Sequence, residues 1–358
     1  MILKTIGLMS GTSLDGIDAA YVETDGVDHV VTGPALTISY TSAFRERLRS
    51  ILGGGGPADV IARIERELTD LHATAVAALR GHEQCGVIDL IGFHGHTILH
   101  RPDRGRTWQI GDGDRLAKLC RVEVMADFRS NDVAAGGQGA PLVPAFHRAL
   151  AHALPRPLAI LNIGGVANVT WIGHAIDAIL SFDTGPGNAL LDDWALAHTG
   201  MPVDRDGALA RAGTPDMGFV QRFLSDPYFA RHAPKSLDRD HFRAWVPSHL
   251  SAQDGAATLV ECAAAAVTIG ARQFPQPAAL WLISGGGRHN PAFMTALSRQ
   301  LAADVRPVDT VGWNGDALEA QAFGYLAVRA LRRLPLSFPG TTGVSSPVSG
   351  GRHFAPTS

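Results

Sequence analysis

The chain opens on two short apolar runs, LKTIGLM (3–9) and IDAAYVET (17–24), with a polar, glycine-containing stretch between them. That spacing predicts a strand, a tight turn and a returning strand. VDHVVTGPALTISY supplies a third strand. After the glycine run 53–56, apolar residues recur at helical spacing through ADVIARIERELTDLHATAVAALRGH, with Asp59 at its start. VIDLIGFHG then reads as a buried strand and DGDRLAKLC as the opening of another helix. Strands that give way to helices and then to strands again predict an α/β domain.

The pattern restarts near residue 157. PLAILNIGGVANVTWIG is again strand, paired-glycine turn and strand, and ALWLISGGGRHNPAFMTALSRQL is strand, triple glycine and helix. Two glycine hairpins about 150 residues apart, each leading an α/β unit, predict duplicated lobes facing each other across a cleft. APLVPAFHRALAHALPRP reads as a helical link with proline ends. DALEAQAFGYLAVRALRRL, near the C-terminus, is an amphipathic helix expected to return to the first lobe. The expected boundaries are therefore 1–145 plus 316–345 for lobe I and 146–315 for lobe II, with 346–358 a flexible tail.

Composition narrows the partners. At 358 residues two domains are the better expectation. A formal charge of -3 argues against a nucleic-acid surface. The lysines are Lys4, Lys118 and Lys235, none in a glycine-rich segment, so a Walker A phosphate loop is excluded. Cys85, Cys120 and Cys262 are far apart and odd in number, which fits neither a disulfide framework nor a zinc site and points to a reducing cytoplasm. The longest apolar helix, around 256–274, carries Glu261 and Arg272, so neither a membrane span nor a signal peptide is expected.

The first hairpin concentrates chemistry. Gly11, Thr12, Ser13, Leu14, Asp15, Gly16, Ile17 and Asp18 lie between the two apolar runs. Backbone N–H groups in a tight glycine turn can converge on an anion, hydroxyls add donors, and nearby carboxylates can manage a phosphate-bound Mg2+ and its water. Asp15 and Asp18 are the candidate metal residues. Asp and Gly are also ordinary turn residues, so one such loop is weak evidence. Two more strengthen it: Gly164, Gly165 and Asn168 in NIGGVANVT, and Gly285, Gly286 and Gly287 before a helix whose N-terminus favours an anion.

These loops, with the late alanine-rich helix, resemble the phosphate, adenosine and connecting motifs of the actin, sugar kinase and Hsp70 superfamily, whose fold is two actin-like (ribonuclease H-like) lobes around a nucleotide and substrate cleft. More narrowly, MSGTSLDGIDAA, GFHGHTILHRP, QIGDGDRLA, ADFRSNDVAAGGQGAPLVPAFH, NIGGVANVT, FDTGPGNALLDDW, PKSLDRDHF, SGGGRHN and DALEAQAFGYLAVRAL resemble, in order, the motifs of the anhydro-N-acetylmuramic acid kinase family. His96 departs from that family's usual Gln.

The resemblance implies ATP and an amino sugar as substrates, Mg2+, a homodimer and a role in peptidoglycan recycling. The implied reaction hydrolyses a 1,6-anhydro bridge and phosphorylates the released O6. The family motif makes Asp183 the catalytic base; an aspartate before Thr-Gly-Pro-Gly can also simply stabilise a turn. Gly185 would let the sugar approach, and Arg129 and Asp132 would bind its lactyl carboxylate or a hydroxyl, although a surface ion pair is an equal reading. Glu319 would reach the sugar or the metal-bound water, or else serve only as an acid at a helix N-terminus.

His94 is a further substrate candidate. With His96 and His100 it falls on one face of an alternating strand, yet no additional ligand joins them, so a metal cluster is rejected. Asp112 and Asp114 read as a helix start. The rival functions are an ordinary hydroxyl kinase of the same superfamily and a nucleotide-switched scaffold.

Overall fold

The computed structural model describes every residue except Thr12, Ile176, Arg239, Thr357 and Ser358. The chain divides into two units, residues 1–153 with 317–358 and residues 154–316.

Unit 1 begins with β1 (Leu3–Ser10), β2 (Gly16–Thr24) and β3 (Val30–Ser39), followed by α1 (Ser42–Ser50) and α2 (Ala58–Arg80). Next come β4 (Leu90–Arg101), β5 (Arg106–Ile110), α3 (Gly113–Cys120), β6 (Glu123–Ala126), α4 (Ser130–Ala134) and α5 (Pro144–Leu150). Unit 2 holds β7 (Leu158–Ile163), β8 (Val166–Ile172), β9 (Ile179–Pro186), α6 (Ala189–Thr199), α7 (Ala208–Arg211) and α8 (Met217–Phe223). It continues through α9 (Ala252–Ala271), β10 (Leu280–Ser284), α10 (Pro291–Leu301) and β11 (Asp304–Pro307). The chain then returns to unit 1 as α11 (Leu318–Leu331), α12 (Pro339–Thr342) and β12 (Arg352–Phe354).

The two sheets repeat one topology. In unit 1 the order is β12-β6-β4-β1-β2-β3, with β5 hanging on β4; in unit 2 it is β11-β10-β7-β8-β9. Each unit has an antiparallel three-strand meander whose first strand pairs in parallel with the strand that follows the helices. The duplicated α/β architecture expected from the two glycine hairpins is therefore present, in the strand order of ribonuclease H-like folds.

Glycines bring α11 onto the unit 1 sheet. A Cβ at Gly7 would lie 1.8 Å from the Ala320 carbonyl oxygen, and one at Gly92 would lie 2.0 Å from that of Phe323. With hydrogen in its place the helix backbone rests on β1 and β4, which brings Phe323 against His94. The other face of the sheet packs on α1 and α2 through Phe44, Leu48, Ile64, Leu68, Phe93 and Ile98. Burying each such side chain contributes about 1.5–3 kcal/mol.

The expectation for the C-terminal segment changes. The segment 346–358 is not a loose tail: β12 pairs antiparallel with β6, and the Phe354 ring occupies the space left by Gly113. Such a three-residue edge strand has too short an apolar pattern to stand out in sequence. The apolar helix α9 is long enough to cross a membrane by length and composition, but 78% of its apolar window is buried within the protein, as befits a core helix.

Candidate active site

In unit 1 the hairpin turn between β1 and β2 is shaped by an apolar anchor. Leu14 takes φ 61° and is 3% exposed, its side chain packed into the core while its N–H donates to the Gly11 carbonyl at 3.1 Å. A non-glycine residue holds a left-handed conformation only when its surroundings impose it. The Asp15 carbonyl accepts from the Tyr40 N–H at 3.0 Å, and Ser13 and Asp15 are exposed. Thr12 lies outside the described residues.

Asp18 stands on the α11 side of β2 and accepts from the Thr37 hydroxyl at 2.6 Å. Its electrostatic neighbour is Glu319. Solvent reaches Glu319, yet the protein mass around the carboxyl desolvates it and raises its pKa against the pull of Arg129. Asp15, expected to pair with Asp18, lies before β2 begins, and the acid that Asp18 senses comes instead from α11. Among the described residues no cluster of three His, Cys, Asp or Glu forms a metal cage.

Arg129, just before α4, forms a second polar centre. Its Nε donates to His94 Nε2 at 3.0 Å, its Nη1 donates to the Gly139 carbonyl at 2.7 Å, and its guanidinium lies 5.9 Å from the Phe323 ring centroid. Because His94 Nδ1 faces the Gly95 carbonyl at 2.9 Å, that nitrogen carries the proton and Nε2 is left as the acceptor. Burial, reinforced by the Arg129 charge, holds the His94 pKa well below its ordinary value. Burial also lowers Arg129 to about 10, opposed by Glu319 and Asp132.

In unit 2 three chain segments meet. The Asn188 and Gly187 N–H groups donate to the Gly164 and Gly165 carbonyls at 2.7 and 3.0 Å, and the Asn188 amide donates to the Ile163 carbonyl at 3.0 Å. Gly285 has φ 72°, and a Cβ there would lie 2.3 Å from the Asn162 side-chain oxygen. A Cβ at Gly287 would strike Ile163. The β7–β8 turn, the start of α6 and the Gly285–Gly287 loop thus form one patch of closely opposed backbone.

Asp183, on β9, pairs in register with Asn168 on β8 beside that patch. It is half-buried, and the Leu237 N–H donates to its Oδ2 at 2.7 Å. Desolvation pushes its pKa up to about 7, against the opposing pull of that hydrogen bond. The surrounding backbone is clamped: Asp183 N–H donates to the Lys235 carbonyl at 3.0 Å, and the Tyr228 hydroxyl donates to the Asp183 carbonyl at 2.6 Å. Lys235 lies with its Nζ 4.4 Å from the Tyr228 ring centroid and donates to the Tyr228 carbonyl at 3.1 Å; burial lowers it to about 8, helped by Arg231. A carboxyl poised near neutrality and fixed on a rigid strand suits general-base chemistry.

The family model described as anhydro-N-acetylmuramic acid kinase matches residues 3–356. The chain belongs to the anhydro-N-acetylmuramic acid kinase family. A relative of that name from Paramagnetospirillum magneticum is 56% identical over 99% of this chain and 100% of its own. Another, from Acidiphilium cryptum, is 55% identical over 99% of each chain. Superposition on a solved structure, the activator of 2-hydroxyisocaproyl-CoA dehydratase from Clostridium difficile with bound ADPNP, gives a TM-score of 0.47 at 14% identity, covering 92% of this chain and 96% of that one.

Within this kinase several candidate residues sit differently from expectation. His94 and His96 do not share a face. Gly95 takes φ 71° in a bulge of β4 against β1, so His94 packs on Phe323 with ring centroids 4.5 Å apart, while His96 turns to Ser10 on the other side. His100 reaches the Thr107 hydroxyl at 3.1 Å.

Asp132 is 2% exposed and turned inward, where burial raises its pKa against the opposing pull of Thr342, Ser337 and the Gly139 N–H, which donates to Oδ1 at 3.3 Å. It ties the Arg129 segment to the chain around α12 and is closed to a ligand. Gly185 is buried against α9, where a Cβ would lie 2.7 Å from the Ala266 methyl, so its small size serves helix packing. Sequence reasoning missed the positioning roles of Tyr228 and Lys235; PKSLDRDHF includes Lys235, while Tyr228 lies upstream of it.

Proposed function

We propose that this kinase opens 1,6-anhydro-N-acetylmuramic acid by hydrolysis and phosphorylates O6 with ATP, giving N-acetylmuramic acid 6-phosphate and ADP in peptidoglycan recycling. The observation that carries the reading is Asp183, a half-buried carboxyl raised to about 7 beside the clustered glycine loops of unit 2. An anhydro sugar has no O6 hydroxyl to deprotonate, so the base acts on water instead.

In this reading the Asp183 carboxylate takes a proton from water and the remaining hydroxide adds to C1. The C1–O6 bond breaks through an oxocarbenium-like transition state. O6 keeps the bonding electron pair and attacks the γ-phosphorus in line, the bond to the β-phosphate oxygen breaks, and ADP leaves. Phosphoryl transfer thereby replaces protonation of the leaving oxygen. The proton held by Asp183 returns to solvent.

Roles follow unit by unit. The 11–18 hairpin offers backbone N–H groups and the Ser13 hydroxyl to phosphate, and Gly164, Gly165, Asn168 and Gly285–Gly287 serve the nucleotide. Arg129, oriented by His94, suits the lactyl carboxylate. Asp18, with Glu319 behind it, would hold Mg2+ through water, and the ion would neutralise phosphate charge. Free, buried Cys85, Cys120 and Cys262 support a cytoplasmic location. A homodimer belongs to the same reading.

The test offers purified protein ATP with either the 1,6-anhydro sugar or free N-acetylmuramic acid. Formation of the 6-phosphate from the anhydro sugar supports the reading. Phosphorylation of the free sugar alone would make this an ordinary hydroxyl kinase.

A further inference from the structure

The buried side of the unit 1 sheet holds a polar chain that the reaction does not use. The Ser10 hydroxyl lies 2.6 Å from the Tyr40 hydroxyl and 2.8 Å from His96 Nδ1. Ser10 and His96 are 1% and 0% exposed, and Tyr40 is 5% exposed. A buried polar chain among Phe44, Leu48 and Ile98 is costly unless its hydrogen bonds are satisfied, so its directions can be worked out.

His72, on α2, interacts electrostatically with His96. The His72 Nδ1 meets the Leu68 carbonyl at 2.8 Å, so Nδ1 carries the proton and Nε2 is a bare acceptor. Among the described residues neither His72 Nε2 nor His96 Nε2 has a hydrogen-bond partner. Burial lowers both imidazoles to about 4, so both are neutral near pH 7. The polar chain takes His96 in the tautomer protonated on Nε2, an atom that makes no hydrogen bond to His72. His96 Nδ1 then accepts from Ser10 Oγ–H, and Ser10 Oγ accepts from Tyr40 O–H.

This chain grips the hairpin loop at both ends. Ser10 is the last residue of β1, immediately before Gly11. Tyr40 holds Ser10 through its hydroxyl and Asp15 through its backbone N–H. Between them Leu14 is plugged into the core in a left-handed conformation. We propose that Tyr40, Ser10 and His96 form a one-way hydrogen-bond relay that sets the 11–15 loop and so positions the phosphates of ATP. Tyr40 and His96 are positioning residues, and the assignment rests on the loop being the phosphate site.

The test is ATP binding by calorimetry with separate KM values for ATP and sugar. Tyr40→Phe keeps the ring and removes only the donor; ATP affinity should fall roughly tenfold, the loss of about one buried hydrogen bond, with sugar KM and melting temperature close to wild type. His96→Leu should do the same, and His96→Asn, whose Oδ1 stands where Nδ1 did, should restore binding. Equal losses for ATP and sugar, a fall in melting temperature alone, or no rescue by Asn would overturn the relay. Ser13→Asp separates the two ideas by placing negative charge in the loop. If it leaves ATP binding intact, the loop is not the phosphate site. If it abolishes binding while Tyr40→Phe has no effect, the phosphate reading stands and the relay falls.

Discussion

Replacing Asp183 by Asn should make the protein more stable at pH 8 while abolishing its activity. The carboxyl rises from its ordinary 3.8 to about 7 in the folded state because desolvation penalises the charge. The folded protein therefore binds this proton more tightly than the unfolded chain does, and stability falls as pH climbs from about 4 to about 7. Three pH units at about 1.4 kcal/mol each set a ceiling of about 4 kcal/mol, reached only above pH 7. Solvent at the half-buried face reduces what is realised, while the Leu237 N–H bond is already contained in the net shift. Asn keeps an acceptor for that N–H and carries no charge, so the penalty disappears.

Urea denaturation of both proteins at pH 4 and pH 8 reads the difference directly. The curves should nearly coincide at pH 4, and the variant should lead by about 2–4 kcal/mol at pH 8. In parallel, wild-type kcat/KM should fall tenfold per unit below pH 7, as the base becomes protonated. Equal stability differences at the two pH values would refute the argument, because the carboxylate would then carry no desolvation strain.

Other perturbations probe separate parts of the account. Gly285→Ala forces a side chain into a left-handed backbone 2.3 Å from the Asn162 oxygen, and should cost about 1–3 kcal/mol in urea melts while raising KM for ATP. Arg129→Lys loses the fork shared between His94 and Gly139, and sugar KM should rise roughly 10- to 100-fold with KM for ATP unchanged. Phe323→Ala, under both His94 and Arg129, should destabilise by about 3–5 kcal/mol and also weaken sugar binding. Ending the chain at residue 345 should lower the melting temperature by several degrees; an unchanged value would mean that β12 and Phe354 contribute nothing.

The hairpins were legible because apolar runs flank a glycine turn, and α2 because its buried residues recur at helical spacing, whereas α11, expected to be amphipathic, is buried on nearly every face from Leu318 to Ala330. What escaped depends on contacts distant in sequence. Alternation put His94 and His96 on one face, but the positive φ of Gly95 inserts a bulge that only pairing with β1 reveals. Asp132 reads as a surface acid until Ser337 and Thr342, some 200 residues later, close over it. Gly185 carries a spacing that suits ligand approach and a contact with α9 that explains it otherwise. The desolvation of Asp183 depends on how 228–237 folds around β9, and composition gives no measure of that.

The most direct test of the central claim is the fate of water oxygen. Turnover of the 1,6-anhydro sugar with ATP in oxygen-18 water should give a 6-phosphate carrying one solvent oxygen at C1 and none in the new O6–phosphate bridge, and Asp183→Asn should give no product. Product lacking the label at C1, or full turnover by the variant, would contradict hydrolysis coupled to phosphorylation through this carboxylate.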